Sequence, residues 1–367
     1  MNNKPIFFPG LNGLRTLAAL SVVISHTTLA LGKFNLNANF FGMFKNGEPN
    51  GLAMAGYGVT IFFVLSGFLI TFLLITEKKL QPISIRKFYM RRILRIWPLY
   101  YLYLTISIVV ILIFGLKLNI HSLFFYLFYA ANVPFIINNV IPFIGHYWSL
   151  GVEEQFYLFW PWVIKKIKNL IPINIALIVI LFGTKILLHF LFPGSIIETA
   201  IQVTRFHCMM IGGLGAIFYS NNNKLFLFIS NNKITQVICW MVIFLLIINI
   251  YHLASVIDHE IISLVTICII IGQVKIKNRI INLDTKVLDF LGKISYGIYV
   301  IHPLVIFFMA HLLNRVNIPD PTKYVVVYIS IISFTIFLSW LSYTYFEKYF
   351  MNLKKKFEVV KSSANRI

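Results

Sequence analysis

Residues 57–76, YGVTIFFVLSGFLITFLLIT, run twenty positions without a charge. At about 1.5 Å of rise per residue, a helix of that length matches the hydrocarbon thickness of a bilayer. The stretch therefore reads as a transmembrane helix, and its neighbours read the same way. Further apolar runs fall at about 11–31, 96–116, 120–137, 146–164, 173–192, 203–219, 234–251, 260–275, 293–313 and 323–346. Of the 367 residues, 59% are hydrophobic and 12% charged, where a soluble domain has roughly 45–50% apolar and 25% charged residues. Too little polar surface is left to cover a soluble globule. The fold class expected is all-α, a polytopic transmembrane bundle. In that setting a net charge of +20 is a topology signal, and no nucleic-acid partner is expected.

The basic clusters decide how the runs thread. Lys78, Lys79, Arg86, Lys87, Arg91, Arg92 and Arg95 follow the second run; Lys165, Lys166 and Lys168 follow the fifth. Lys275, Lys277, Arg279 and Lys286, then Lys354, Lys355 and Lys356, form the others. All lie in the cytoplasm only if the 120–137 run, broken by Asn132 and Pro134, is a partial or re-entrant helix. Ten spanning helices then remain, with both termini cytoplasmic. The outer segments expected are 32–56, 117–145, 193–202, 252–259 and 314–322. No repeat or linker separates a second domain, so residues 1–347 form one membrane domain and 348–367 a short basic cytoplasmic tail. The first run contains Arg15 and His26 and lacks an A-x-A site before Gly32, so it reads as a retained span. Cys208, Cys239 and Cys268 sit singly in apolar windows, and the nine histidines show no metal-ligand spacing, so no disulfide or metal is expected.

Ionisable side chains at membrane depth cost about 2.5–3.5 kcal/mol each and usually line a cavity or meet a partner. Arg15 and His26 are eleven positions apart, about three helical turns, and so share a face roughly 16 Å apart along the axis. Arg92 and Arg95 are spaced i, i+3, and guanidinium forks suit phosphates. Glu153 and Glu154 lie within an aromatic segment, GHYWSLGVEEQFY from Gly145 to Tyr157, with one carboxylate expected to face the interior. An arginine at one mouth and a titratable imidazole deeper in would serve a long anionic ligand. Lys185 with His189, and Arg205 with His207, read as ion-pairing or snorkelling groups near an outer surface. His302 before Pro303 reads as a helix kink with local hydrogen bonding, and Asp258, His259 and Glu260 as a solvated outer loop. No Walker A, GxGxxG or GxSxG pattern appears, so ATP hydrolysis and serine-hydrolase chemistry are unsupported.

Five stretches, in order, resemble the acyltransferase-3 family of membrane acyltransferases. They are Gly10-Leu-Asn-Gly-Leu-Arg15 through His26, Val59 through Phe68, Arg92-Ile-Leu-Arg95, Trp148 through Tyr157, and Ser295 through Pro303. Asn12, where many relatives have aspartate, is a mild departure. The resemblance implies transfer of an acyl group, commonly acetyl, from cytoplasmic acyl-CoA to a hydroxyl of a cell-surface glycan or related acceptor. It implies that Arg15 with His26, Arg92 with Arg95, and Glu153 are the site residues. Read on the residues themselves, Arg15, Arg92 and Arg95 would bind acyl-CoA, and His26 and Glu153 would be catalytic. His26 would act as general base, or alternatively as an acyl-His26 nucleophile, with Glu153 orienting imidazole or acceptor. Acyl-CoA is a co-substrate, and no bound cofactor or metal is implied. Some relatives carry an added extracytoplasmic esterase-like domain; no such domain is expected here, and a stand-alone enzyme is the expectation.

The Lys/Ile/Asn-rich usage and the family's distribution suggest a bacterial inner membrane. The competing reading is a transporter or flippase for an anionic solute using the same Arg, His and Glu residues, but no inverted repeat or pair of broken helices is apparent. A non-catalytic scaffold leaves the Arg15/His26 face unexplained.

Overall fold

In a computed structural model of the chain, the stretch quoted above lies within one helix, Ala53–Leu80. The structure describes residues 6–43, 49, 51, 53–247, 256–316 and 318–360. The end of the 234–251 run, parts of the 32–56, 252–259 and 314–322 segments, and the last residues of the tail lie outside these. Among the described residues the secondary structure is helical, with no strand. The first half comprises α1 Leu11–Leu29, α2 Ala53–Leu80, α3 Ile85–Ile113, α4 Ile120–Leu127, α5 Asn132–Ile136, α6 Trp148–Lys166, α7 Leu170–Leu191 and α8 Ile196–Thr204. The second comprises α9 Phe206–Ser220, α10 Lys224–Ser230, α11 Lys233–Ile247, α12 Asp258–Lys275, α13 Lys286–Lys293, α14 Ser295–Leu313, α15 Asp320–Ser342 and α16 Lys348–Lys354.

Among the described residues, six helical stretches are long and apolar enough to cross a bilayer: α2, α3, α7, α8 with α9, α14, and Asp320–Phe357. The α10–α11 pair, bent by 56°, makes a seventh. Ten crossings are therefore more than length and hydropathy support. The shortfall has a physical cause. Helices α1, α6 and α12, of 19, 19 and 18 residues, carry the polar side chains of the interior: Arg15 and His26, Glu153 and Glu154, Asp258 and Glu260. The broken 120–137 run is two short helices of eight and five residues, neither long enough to span.

The basic link between the second and third apolar runs is helical from Ile85. Ser84 caps it, its Oγ accepting the Lys87 N–H at 3.4 Å. The described part of the tail, residues 348–360, packs back against the bundle. Arg91 Nη1 donates to the Phe357 carbonyl at 2.8 Å and Nη2 to Glu77 Oε2 at 3.0 Å, tying this segment and α2 to α3.

Helix α2 is the central post, packed against α1, α6, α9 and α12, and 72% of its apolar stretch is buried against 11% for the peripheral α7. Helix association in lipid depends on close backbone approach, which small residues permit. A Cβ on Gly67 would lie 1.9 Å from the Met209 carbonyl oxygen, and one on Gly212 would lie 2.2 Å from that of Val64. Overpacking costs about 1–3 kcal/mol even where side chains can shift, and these obstacles are backbone. Gly67→Val is expected to lower the thermal unfolding midpoint in detergent by ~5 °C or more. Gly183→Val, which meets nothing within 4 Å, should leave it unchanged.

Candidate active site

Five helices converge on one cavity. Arg15 enters from α1, Ser66 from α2, Arg92 and Arg95 from α3, Ser149, Glu153 and Tyr157 from α6, and Ser295, Tyr296 and Tyr299 from α14. The α6 residues recur at i, i+4 and i+8, the period that keeps one helical face turned inward. Three guanidinium groups and one carboxylate line the cavity. Glu153 Oε1 accepts the Ser66 hydroxyl at 2.6 Å. The Arg92 guanidinium stands over the Tyr157 ring at 5.6 Å and the Phe88 ring at 5.7 Å, and its buried Nε has no partner. Arg15 Nη1 donates to Asn12 Oδ1 at 3.3 Å; Asn12 in turn donates to Asp289, which pairs with Lys293 at 2.6 Å. Asn12 thus links Arg15 to α13. Arg92 and Arg95 have no ion pair among the described residues. Three clustered cations facing a single carboxylate leave positive charge in excess, which is costly away from water, and a phosphate-bearing ligand removes that cost.

The same helices carry the site upward. Ser149 Oγ and the Tyr299 hydroxyl are 2.6 Å apart, and Tyr299 also donates to the His146 carbonyl at 2.7 Å. One turn on, His26 Nδ1 lies 2.7 Å from His302 Nε2, and the His146 ring stands 5.2 Å from that of His302. His302 is fully buried and His26 partly accessible. Arg15 and His26 belong to one helix, so the imidazole lies about 16 Å along α1 from the guanidinium end.

The structure therefore brings Arg15, Arg92, Arg95 and Glu153 together in one cavity and sets His26 further along α1, outside that cavity's lining. It does not join Glu153 to His26. Glu153 is bonded to Ser66 and faces the arginines, so the expectation that it orients the imidazole gives way to His302 in that position. His302 does bond locally, as expected beside a proline, but its other nitrogen reaches His26. Ser66, Tyr299 and His146 were not singled out by sequence. Only the i+4 and i+7 recurrence of Ser295, Tyr299 and His302 hinted at a shared face.

The remaining polar residues form a separate network that does not line the cavity. Lys185 Nζ and His207 Nε2 both meet Glu260 Oε1, at 2.7 and 2.6 Å, and His189 pairs with Glu198 at 2.7 Å. Arg205 reaches His259 Nδ1 at 3.2 Å. Asp258 and Glu260 are 2% and 9% exposed rather than solvated, because the start of α12 packs inside the bundle where these partners wait.

The acyltransferase-domain family model matches residues 8–344. Among curated proteins, the O-acetyltransferase OatA of Staphylococcus aureus strain NCTC 8325 is 28% identical over 369 aligned positions, which cover 94% of this chain and 57% of that protein. OatA of strain COL matches equally, at 28% identity and the same coverage. The chain thus spans little more than half the length of these relatives. No solved structure matches it. With the family model covering nearly the whole chain, the protein belongs to the acyltransferase-3 family of acyltransferases.

Proposed function

We propose that this protein is a membrane O-acyltransferase, moving an acetyl group from cytoplasmic acyl-CoA to a hydroxyl of an extracytoplasmic acceptor. The relatives' name, O-acetyltransferase, fits transfer of an acetyl group to a hydroxyl oxygen; the acceptor proposed is a sugar of a surface polysaccharide or a lipid-linked glycan. One observation carries the reading: three guanidinium groups gather in one cavity at the start of α1, and the same helix carries a partly accessible imidazole, His26, about 16 Å further along its axis. Acyl-CoA has that form, a phosphorylated nucleotide head, a long pantetheine arm and a reactive thioester. Its head would rest on Arg92, Arg95 and Arg15, its arm would follow α1, and its thioester would lie at His26. Ten spans with both termini cytoplasmic, in a bacterial inner membrane, put the arginine end on the acyl-CoA side. Helices α1, α6 and α12 then cross as interior helices shielded from lipid.

In this mechanism His26 takes the proton of the acceptor hydroxyl as its oxygen attacks the thioester carbonyl carbon. The C–S bond breaks, the CoA thiolate leaves, and the imidazolium returns the proton to sulfur. Glu153 is the counter-charge that holds the three guanidiniums in place before donor phosphates arrive. A purified sample in detergent given acetyl-CoA should release free CoA, and release should rise several-fold with crude cell-envelope glycan. Acetyl-CoA binding with no CoA release under either condition, by folded protein, would contradict the reading.

A further inference from the structure

The imidazole proposed as base is held by a chain of hydrogen bonds whose direction can be read from its far end. His302 Nδ1 lies 2.8 Å from the Tyr299 carbonyl oxygen, and a carbonyl only accepts. Nδ1 of His302 must therefore carry the hydrogen. That carbonyl is available because the residue four positions on is Pro303, which has no N–H to donate within α14. The ring is fully buried and without a carboxylate partner, where an imidazolium is disfavoured. Neutral His302 then has a bare Nε2, and the 2.7 Å contact requires His26 Nδ1 to be the donor. His26 Nε2 is left as the lone-pair nitrogen, with no hydrogen-bond partner among the described residues.

We infer that His302 is the positioning residue of the reaction: the relay Tyr299 carbonyl, His302, His26 locks His26 in the tautomer whose Nε2 is the base. This rests on the acyl-transfer reading for its kinetic consequence, but the tautomer stands on geometry alone. The relay does for His26 what a carboxylate does for histidine in a catalytic triad, without placing a charge in the membrane. It also gives the His302–Pro303 pair a chemical purpose beyond a kink. In the transfer step the acceptor proton goes to His26 Nε2 and then to the departing thiolate; the proton between the rings stays in place.

The test combines kinetics with nitrogen NMR of protein carrying ¹⁵N-histidine, using His26→Gln to assign the His26 signals. Wild type should show His26 protonated at Nδ1 and bare at Nε2. His302→Ala should lower kcat by ~10²–10⁴-fold, the range for losing the correct tautomer or general base, with the KM for acetyl-CoA within about twofold. His302→Gln, whose amide oxygen can accept from His26 Nδ1, should recover at least tenfold of that loss; a purely structural role would give no such split and no such rescue. The inference is overturned if wild-type His26 is protonated at Nε2, if His302→Ala keeps wild-type kcat, or if glutamine rescues nothing. Failure of wild type to use acetyl-CoA would instead remove the acyl-transfer reading, while the NMR result would still decide the tautomer.

Discussion

His26→Ala should lose at least ~10³-fold in turnover of acetyl-CoA with envelope glycan while binding acetyl-CoA within about twofold of wild type. A positioned general base contributes ~10²–10⁴-fold, and loss of the residue also removes the group that aligns the acceptor hydroxyl. A 10³-fold loss corresponds to about 4 kcal/mol of transition-state stabilisation. Donor binding should survive because the groups proposed to hold the CoA head lie about 16 Å away along α1. Titration calorimetry with acetyl-CoA beside a free-thiol assay separates the two effects. Full turnover by the variant would remove His26 from the mechanism, and a parallel loss of binding would mean that the thioester end had been misplaced.

Arg95→Met and Arg91→Met, four residues apart on α3, should affect stability differently, the first leaving it unchanged or raised and the second lowering it. Arg95 shares the cavity with Arg15 and Arg92 and has no ion pair among the described residues. Removing its charge relieves like-charge repulsion, so the ligand-free protein should melt at the same temperature or higher. It should also bind acetyl-CoA ~10–100-fold more weakly, since a charge-assisted hydrogen bond to phosphate contributes about 1.5–3 kcal/mol. The stabilisation normally conferred by saturating acetyl-CoA would shrink accordingly. Arg95→Lys should recover only part of the affinity, because an ammonium lacks the planar fork. Arg91 is different: it holds Glu77, which is 1% exposed, and the Phe357 carbonyl. Its loss strands a buried carboxylate at a cost of about 3 kcal/mol or more, lowering the melting temperature with little change in donor affinity. Melting curves with and without acetyl-CoA check both signs; a destabilised Arg95→Met with normal affinity would make Arg95 a structural residue.

The helical runs were legible because uninterrupted apolar stretches of bilayer length have few alternatives. The shared face of Arg15 and His26, and the i, i+3 pairing of Arg92 and Arg95, were also legible, since both follow from helical period alone. Hydropathy failed where function intervenes. Helices α1, α6 and α12 carry ionisable residues of the polar interior and do not pass as spans by length and composition. Tertiary pairing was out of reach for the same physical reason throughout. Ser66 meets Glu153 across 87 residues and His302 meets His26 across 276, and no local pattern encodes such contacts. The acidic start of α12 looked like solvated loop because its partners Lys185 and His207 lie on α7 and α9. His302–Pro303 was visible as a kink, yet only the folded helix shows that the proline's missing N–H frees the carbonyl that fixes the His302 tautomer.

The central claim is that one column binds acyl-CoA by its phosphates at the arginine end and presents its thioester to His26. The most direct measurement is a structure of the protein with an unreactive thioether analogue of acetyl-CoA. The account predicts phosphate density within hydrogen-bonding distance of Arg92 and Arg95 and the acyl carbonyl beside His26 Nε2. An analogue bound with its nucleotide away from these guanidiniums, or with its acyl end remote from His26, would contradict it.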